Sequence, residues 1–241
     1  MTRVLPSTGT ATVQPGPVTP SGWWPLVSLD AVRDSGRTAI SVSIAGSPWA
    51  VVLLDGEVAA IRDLCPHRRV PLSAGTVADL PTGQVLECGY HGWSYDRAGQ
   101  CAAIPALGEG RVPRGMGSVA ALRTTLAGGI VWGTADELAA PAPAIEDGFV
   151  FLRPQRVPLP LAEVVSRLSG DGAAEAVTGV EGFTGVAGVE LGVAGSALRY
   201  FVRPIDDAAT SVFPLVDSTT LESQLPAWLA RLDGLSAALA H

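Results

Sequence analysis

The chain has 241 residues, of which 47% are apolar and 16% charged, with a formal net charge of -7. An apolar fraction of this size can bury a core in one large domain or two small ones, which excludes wholesale disorder, and the absence of a basic stripe excludes a nucleic-acid partner. No run approaches the roughly 18 apolar residues of a membrane span, and residues 1–20 lack the basic-then-apolar order of a secretory signal, so a cytoplasmic location without a membrane partner is expected.

Residues 1–21 are rich in Pro, Thr, Ser and Gly without periodicity and are expected to form a flexible leader. From residue 22 to about 140 the apolar runs are short and β-rich, bounded by Gly, Pro or Asp: Trp49-Ala-Val-Val-Leu-Leu54, Val58-Ala-Ala-Ile61, Gln84-Val-Leu-Glu87 and Ile130-Val-Trp132. They predict an antiparallel β domain. Asp55-Gly56 fits a two-residue hairpin turn, because both positions tolerate positive φ. Residues 134–160 are loaded with Ala and Pro; the linker is placed at 141–160.

Beyond it, residues 161–241 predict a small α+β region. Leu161, Val164, Val165 and Leu168 recur at helical spacing. Leu198-Arg-Tyr-Phe-Val202 and Ser211-Val-Phe-Pro-Leu-Val216 suggest a hairpin around Asp206-Asp207. Leucines from Leu221 to Leu239 suggest a closing helix, with Thr219 and Glu222 as a capping box. The acidic excess concentrates here: residues 142–241 hold six Arg against twelve Asp and Glu, whereas residues 1–141 hold ten against eleven. With its apolar strands, this segment is expected to serve as a docking or assembly surface for a basic partner face.

Chemistry is concentrated in two segments, Cys65-Pro-His67-Arg-Arg69 and Cys88-Gly-Tyr-His91-Gly-Trp93, with twenty residues between His67 and Cys88. Together they offer two sulfur and two nitrogen ligands, which suit zinc or an iron-sulfur cluster. A structural zinc finger usually groups Cys with Cys and His with His. Here each segment mixes the two, as expected if the Cys pair holds one iron and the His pair the other, the ligation of Rieske [2Fe-2S] centres. Cys101 lies outside both segments and is expected to be a small buried hydrophobe.

On these residues the sequence resembles the Rieske domain of the Rieske non-haem iron ring-hydroxylating oxygenases. The pattern Cys-x-His followed by Cys-x-x-His is matched in full, and similarity extends through Trp23-Trp-Pro25, Ile61-Arg-Asp63, Pro71-Leu-Ser73, Tyr95-Asp96 and Ile104-Pro105 to Gly129-Ile-Val-Trp132. The resemblance implies a mainly β fold, a Rieske cluster on Cys65, His67, Cys88 and His91, and supporting roles for Arg68, Tyr90, Trp93, Tyr95 and Pro105. Tyr95 is placed either to donate to a ligand sulfur or to pack as a buried aromatic. Respiratory-chain Rieske proteins carry two further Cys and a Ser where Val70, Tyr90 and Trp93 stand, so a potential at the low end of the Rieske range is expected.

Self-sufficient members of that family add a mononuclear iron held by two His and a carboxylate. With His67 and His91 committed, only His241 remains, and about 100 residues follow position 140. The resemblance therefore implies an electron-transfer subunit without mononuclear iron of its own and without catalytic residues. Its expected partners are a full-length Rieske oxygenase subunit, in a hetero-oligomer, and a ferredoxin or flavin reductase as donor. The alternative is a free Rieske ferredoxin-type carrier.

Overall fold

The computed structural model describes residues 22–108, 112–113, 116–137, 145, 147–169, 174–176, 191–193, 198–219, 221, 226 and 230. The leader falls outside them, as do Glu222 of the expected capping box and all of the expected closing helix but Leu221, Pro226 and Ala230, which are helical; Thr219 stands in a turn, its N–H and hydroxyl donating to Asp217. In chain order the elements are β1 (Trp24–Ser28), α1 (Leu29–Asp34), β2 (Ile40–Ile44), β3 (Ser47–Leu54), β4 (Glu57–Arg62), β5 (Thr76–Leu80), β6 (Gly83–Glu87), β7 (Ser94–Tyr95), β8 (Cys101–Ala103), β9 (Ala121–Ala127) and β10 (Ile130–Thr134). There follow β11 (Phe149–Phe151), β12 (Gln155–Val157), α2 (Leu161–Ser169), β13 (Ala174–Ala176), β14 (Leu191–Val193), β15 (Leu198–Pro204) and β16 (Thr210–Asp217). Among the described residues no helix is long and apolar enough to cross a membrane.

The architecture is mainly β, with every strand pairing antiparallel. A six-stranded sheet runs β1-β10-β9-β4-β3-β2, a four-stranded sheet runs β5-β6-β7-β8, and a third runs β11-β16-β15-β14-β13, with β12 also on β16. β3 shows why its run is continuously apolar: Trp49 and Val51 face one core, while Ala50, Val52 and Leu54 face a second core shared with the four-stranded sheet. Successive side chains of a strand point to opposite faces, so a strand packed on both needs no polar alternation. The Asp55-Gly56 turn forms as expected, both residues at positive φ (52° and 78°) between paired Leu54 and Glu57. Gly56→Ala should therefore cost about 1–2 kcal/mol, read as a lowered urea midpoint, because Ala is penalised in the left-handed region.

The third sheet packs on the outer side of β10. Ile130 and Trp132 share a core with Phe201, Phe213 and Leu215, and Trp132 meets Phe201 edge to face at 4.8 Å. Backbone and side-chain bonds add to the seam: the Ala45 N–H donates to the Pro204 carbonyl, the Ser43 hydroxyl to that of Ile205, and buried Arg203 to that of Leu26. The apolar faces of β15 and β16, expected to dock a partner, are thus spent within the chain. Phe149–Phe151 and Gln155–Val157, inside the stretch expected to be a linker, are strands pairing with β16. Both are only three residues long and owe their strand conformation to the ladder that β16 offers, not to intrinsic periodicity.

Candidate metal centre

The two Cys-His segments are the loops that join β4 to β5 and β6 to β7, so a sheet edge aims both at the same end of the molecule. Their backbones close alike. In the first, the Cys65 N–H donates to the Val70 carbonyl (2.9 Å) and the Arg69 N–H to the Cys65 carbonyl (2.7 Å). In the second, the Cys88 N–H donates to the Trp93 carbonyl (2.8 Å) and the Gly92 N–H to the Cys88 carbonyl (3.0 Å). Each loop therefore turns back on its cysteine over five residues, and each has positive φ at its fifth position, 58° at Arg69 and 71° at Gly92. A Cβ on Gly92 would lie 2.9 Å from Pro105 Cγ, which fixes glycine there and seats the second loop on the 104–108 turn.

The cysteines point inward and the histidines outward. Cys65 and Cys88 are each 2% exposed, within the core that also holds Leu72, Leu86 and Tyr95, whereas His67 and His91 are exposed. The imidazole centroids lie 4.8 Å apart, and Trp93 stacks on His67 at 4.9 Å, nearly parallel. Burial pushes the Cys88 thiol up, and its contact with Cys65 does the same, while backbone N–H groups of Tyr90 and His91 aimed at the sulfur pull it down. Donors directed at a buried sulfur suit a thiolate, and a thiolate in an apolar core needs a cation. Desolvation, then His91 and Arg68, hold the His67 imidazole below its usual range, favouring the neutral form that a ligand requires.

This donor set fits a binuclear cluster better than one ion. A buried sulfur pair behind an exposed nitrogen pair is the division that two irons with unlike ligands demand.

A sequence model of the Rieske [2Fe-2S] domain matches residues 22–123. Residues 22–123 are a Rieske [2Fe-2S] domain. Its relatives are oxygenases. The methylxanthine N3-demethylase NdmB of Pseudomonas putida is 37% identical over 87 residues, 35% of this chain and 24% of that protein. The 4β-methylsterol monooxygenase of Methylococcus capsulatus is 40% identical over 91 residues, 37% of this chain and 23% of that protein. The matches thus span about a quarter of the length of these curated relatives. The fold is shared more widely: the solved structure of Pseudomonas putida NdmB superposes with a TM-score of 0.69 at 19% identity, covering 90% of this chain and 80% of that one. Apo dicamba monooxygenase gives 0.68 at 18% identity, covering 93% and 86%. Both superpositions reach beyond the Rieske domain into the third sheet.

Around the Rieske loops the residues singled out from sequence fall into place as follows. Tyr95 is fully buried, and its hydroxyl lies 3.3 Å from Cys65 Sγ. Burial and then the Cys65 contact push its phenol far above the usual range, so it stays protonated and able to donate to the Cys65 sulfur. Tyr95 is thus packed in the core with its hydroxyl within reach of the Cys65 sulfur. Trp93 stacks on His67, and Tyr90 lies 4.0 Å from the His91 ring but is 60% exposed. Pro105 lines a cavity with both imidazoles, and Arg68 is exposed. Cys101 is half-buried against the same core, its thiol donating to the Ala103 carbonyl.

Asp63 was not singled out as a site residue. It is 3% exposed and accepts from the Ser41 hydroxyl (2.7 Å), the Ser73 N–H (2.7 Å) and the Ser73 hydroxyl (2.6 Å), tying the start of the first loop to its end. Its only signal was membership of the resembling segment Ile61-Arg-Asp63, while its partner Ser73 ends another, Pro71-Leu-Ser73.

Tyr95→Phe should lower the reduction potential. A hydrogen bond to sulfur stabilises the more negative reduced state more than the oxidised one. A difference of about 1 kcal/mol corresponds to about 40 mV for one electron. Protein-film voltammetry of the two proteins reads the shift, and an unchanged potential would show that the Tyr95 hydroxyl is only packing.

Proposed function

We propose that Cys65 and Cys88 hold one iron and His67 and His91 the other iron of a Rieske [2Fe-2S] cluster, and that the protein passes single electrons to mononuclear iron in a partner oxygenase subunit. The observation that carries this is the paired arrangement of buried thiols and exposed imidazoles on two loops of like backbone. The cluster would supply a reversible one-electron couple, within reach of a docked partner. The chain's own residues provide the rest: the core excludes water from the sulfur side, Tyr95 and the backbone donors of the second loop hold negative charge on sulfur, and Trp93 fixes the His67 ring. Association with an oxygenase is favoured over a free carrier because the third sheet, superposable on oxygenase structures, shares a core with the Rieske domain. Electron supply by a ferredoxin or flavin reductase follows from the same kinship. The names of the relatives cover methylxanthines, sterols and chlorophyll derivatives, so no substrate is carried over.

Two iron and two acid-labile sulfide per chain, with the low-average-g EPR signal of mixed His and Cys ligation after reduction, are expected. Stoichiometric zinc in protein made anaerobically with ample iron would overturn the cluster. Single turnover with O2, with and without the Rieske oxygenase of the same source organism, then tests the role. Product that requires the oxygenase, and co-elution with it on size exclusion, support the subunit reading. Product from the isolated chain overturns it, and reduction of several unrelated oxygenases without co-elution would favour the carrier.

A further inference from the structure

We infer that the end of the six-stranded sheet covered by α1 holds a binding site for a small amphipathic carboxylate, remote from the Cys-His loops. The shape of the sheet is the first ground. All six strands contribute to one core, through Leu26, Ile44, Val51, Ala60, Leu122 and Val131, so the sheet curls around it. α1 closes one end: Val32 is fully buried in that core, and the Leu29 N–H donates to the Gly129 carbonyl in the β9–β10 turn (2.9 Å). Because β4 runs antiparallel to β9, the β3–β4 turn lies at the same end.

The closure is incomplete. Leu126 points inward by register, on the same face of β9 as Leu122 and directly across from Val131, yet it is 52% exposed. Leu29, Leu53 and Val58 are only partly buried against the same core. These four side chains, with Arg33 and Glu57 at the rim, line a hollow of about 310 Å³. An inward leucine left half in water forgoes the gain of burial, and an apolar occupant of the hollow recovers it. Mouths of curled sheets are a common place for small-molecule sites, and this volume is at the low end of their range, which limits the occupant to a medium-length chain or a single ring.

Charge selects the head group. Glu57 is in contact with the Arg97 guanidinium, so its charge is matched within the chain. The Thr124 hydroxyl donates to the Val58 carbonyl. Arg33, in the last turn of α1, is held more loosely: its carboxylate neighbour is Asp30, 3.7 Å away, with the two side chains 62% and 87% exposed. A pair this open contributes little, so the guanidinium can turn to an incoming anion. A carboxylate is the anion whose planar fork matches guanidinium. The site stands apart from the metal centre, because Glu57 opens β4 at this mouth and Cys65 follows the other end of that strand. Its six residues extend about 20 Å, so the occupant neither ligates nor covers the two loops.

Ligand-observed NMR titration of the holoprotein with hexanoate, octanoate, octanol and octylamine, each below its aggregation concentration, tests the site. Octanoate should saturate and bind about tenfold more tightly than hexanoate, since each buried methylene contributes about fourfold. It should exceed octanol about threefold, as a partly exposed ion pair allows, and octylamine by more. Arg33→Gln should bring octanoate down to octanol and leave octanol unchanged. Leu126→Trp, which fills the hollow, should weaken both about tenfold. Both substitutions replace exposed side chains, so the melting midpoint should stay within about 2 °C of the parent. Octylamine bound as tightly as octanoate, or octanoate bound undiminished by Leu126→Trp, overturns the proposal. Absence of saturable octanoate binding overturns it as well, and a dimer in sedimentation that Leu126→Arg breaks would then assign the hollow to a second copy of the chain.

Discussion

Cys65→Ser should yield a colourless protein without the reduced EPR signal, whereas Cys101→Ser should remain brown. Both thiols touch one core, and their sulfurs lie near the same Tyr95 hydroxyl. They differ in what faces them. Cys65 faces Cys88, and its loop carries His67; the Cys101 sulfur is turned to the Ala103 carbonyl, 3.6 Å away, and no loop histidine accompanies it. A serine oxygen is a poor substitute for thiolate on iron and leaves a buried hydroxyl among Leu72, Leu86 and Tyr95. Because a metal that binds only the folded state contributes its binding free energy to folding, the loss extends beyond colour. For a chain of this size each kcal/mol moves the melting midpoint by about 2–4 °C, so a drop of about 10 °C or more is expected in Cys65→Ser and about 2 °C or less in Cys101→Ser. Iron retained in Cys65→Ser at the wild-type level would remove Cys65 from the ligand set.

The ligand candidates were legible because metal chemistry constrains residue type and spacing together. Cys and His are rare here, three each, and four of those six fall in two short segments. Strands buried on both faces, β3 and β10, were legible because their runs, Trp49-Ala-Val-Val-Leu-Leu54 and Ile130-Val-Trp132, contain no polar residue. What escaped was set by contacts distant in sequence. α1 is only six residues, too short for periodicity to show, and stands because the Ser28 hydroxyl accepts from the Ala31 N–H. β11 and β12 lie in Ala- and Pro-rich sequence, and β16 alone makes them strands. The acidic, apolar C-terminal segment suggested a docking surface by composition, yet Phe201, Phe213 and Leu215 are covered by the chain's own Ile130 and Trp132. Three of the five exposed large apolar residues among the described ones sit instead near the imidazoles, on loops where scattered Tyr90, Leu107 and Met116 carry no periodic signal.

Asp63→Ala should be the most damaging substitution outside the ligands. The carboxylate is the hub of the first loop: one oxygen accepts from the Ser73 N–H, and the other from the hydroxyls of Ser41 and Ser73, with all three bonds at 2.6–2.7 Å. Ser73 is ten residues beyond Asp63 and Ser41 is on β2, so this one side chain fastens the far end of the loop to its start and both to the six-stranded sheet. The Asp63 N–H adds a bond to the Pro48 carbonyl. Alanine would leave three donors without their acceptor in a place that is nearly closed to water. At about 1–3 kcal/mol for each stranded group, partly relieved by rearrangement, the cost is about 3–5 kcal/mol. That corresponds to a melting midpoint lower by about 6–20 °C. Asp63→Asn keeps an acceptor for the Ser73 N–H and presents an amide that a serine oxygen can accept, so it should lose no more than about half as much. The loop carries Cys65 and His67, so Asp63→Ala should also incorporate less iron, and the deficit should persist after chemical reconstitution of the cluster. A double-mutant cycle with Ser73→Ala separates a loop clasp from a general core effect: coupling of about 1 kcal/mol or more is expected between positions 63 and 73. Additive losses, with full iron in both single variants, would show that Asp63 merely packs.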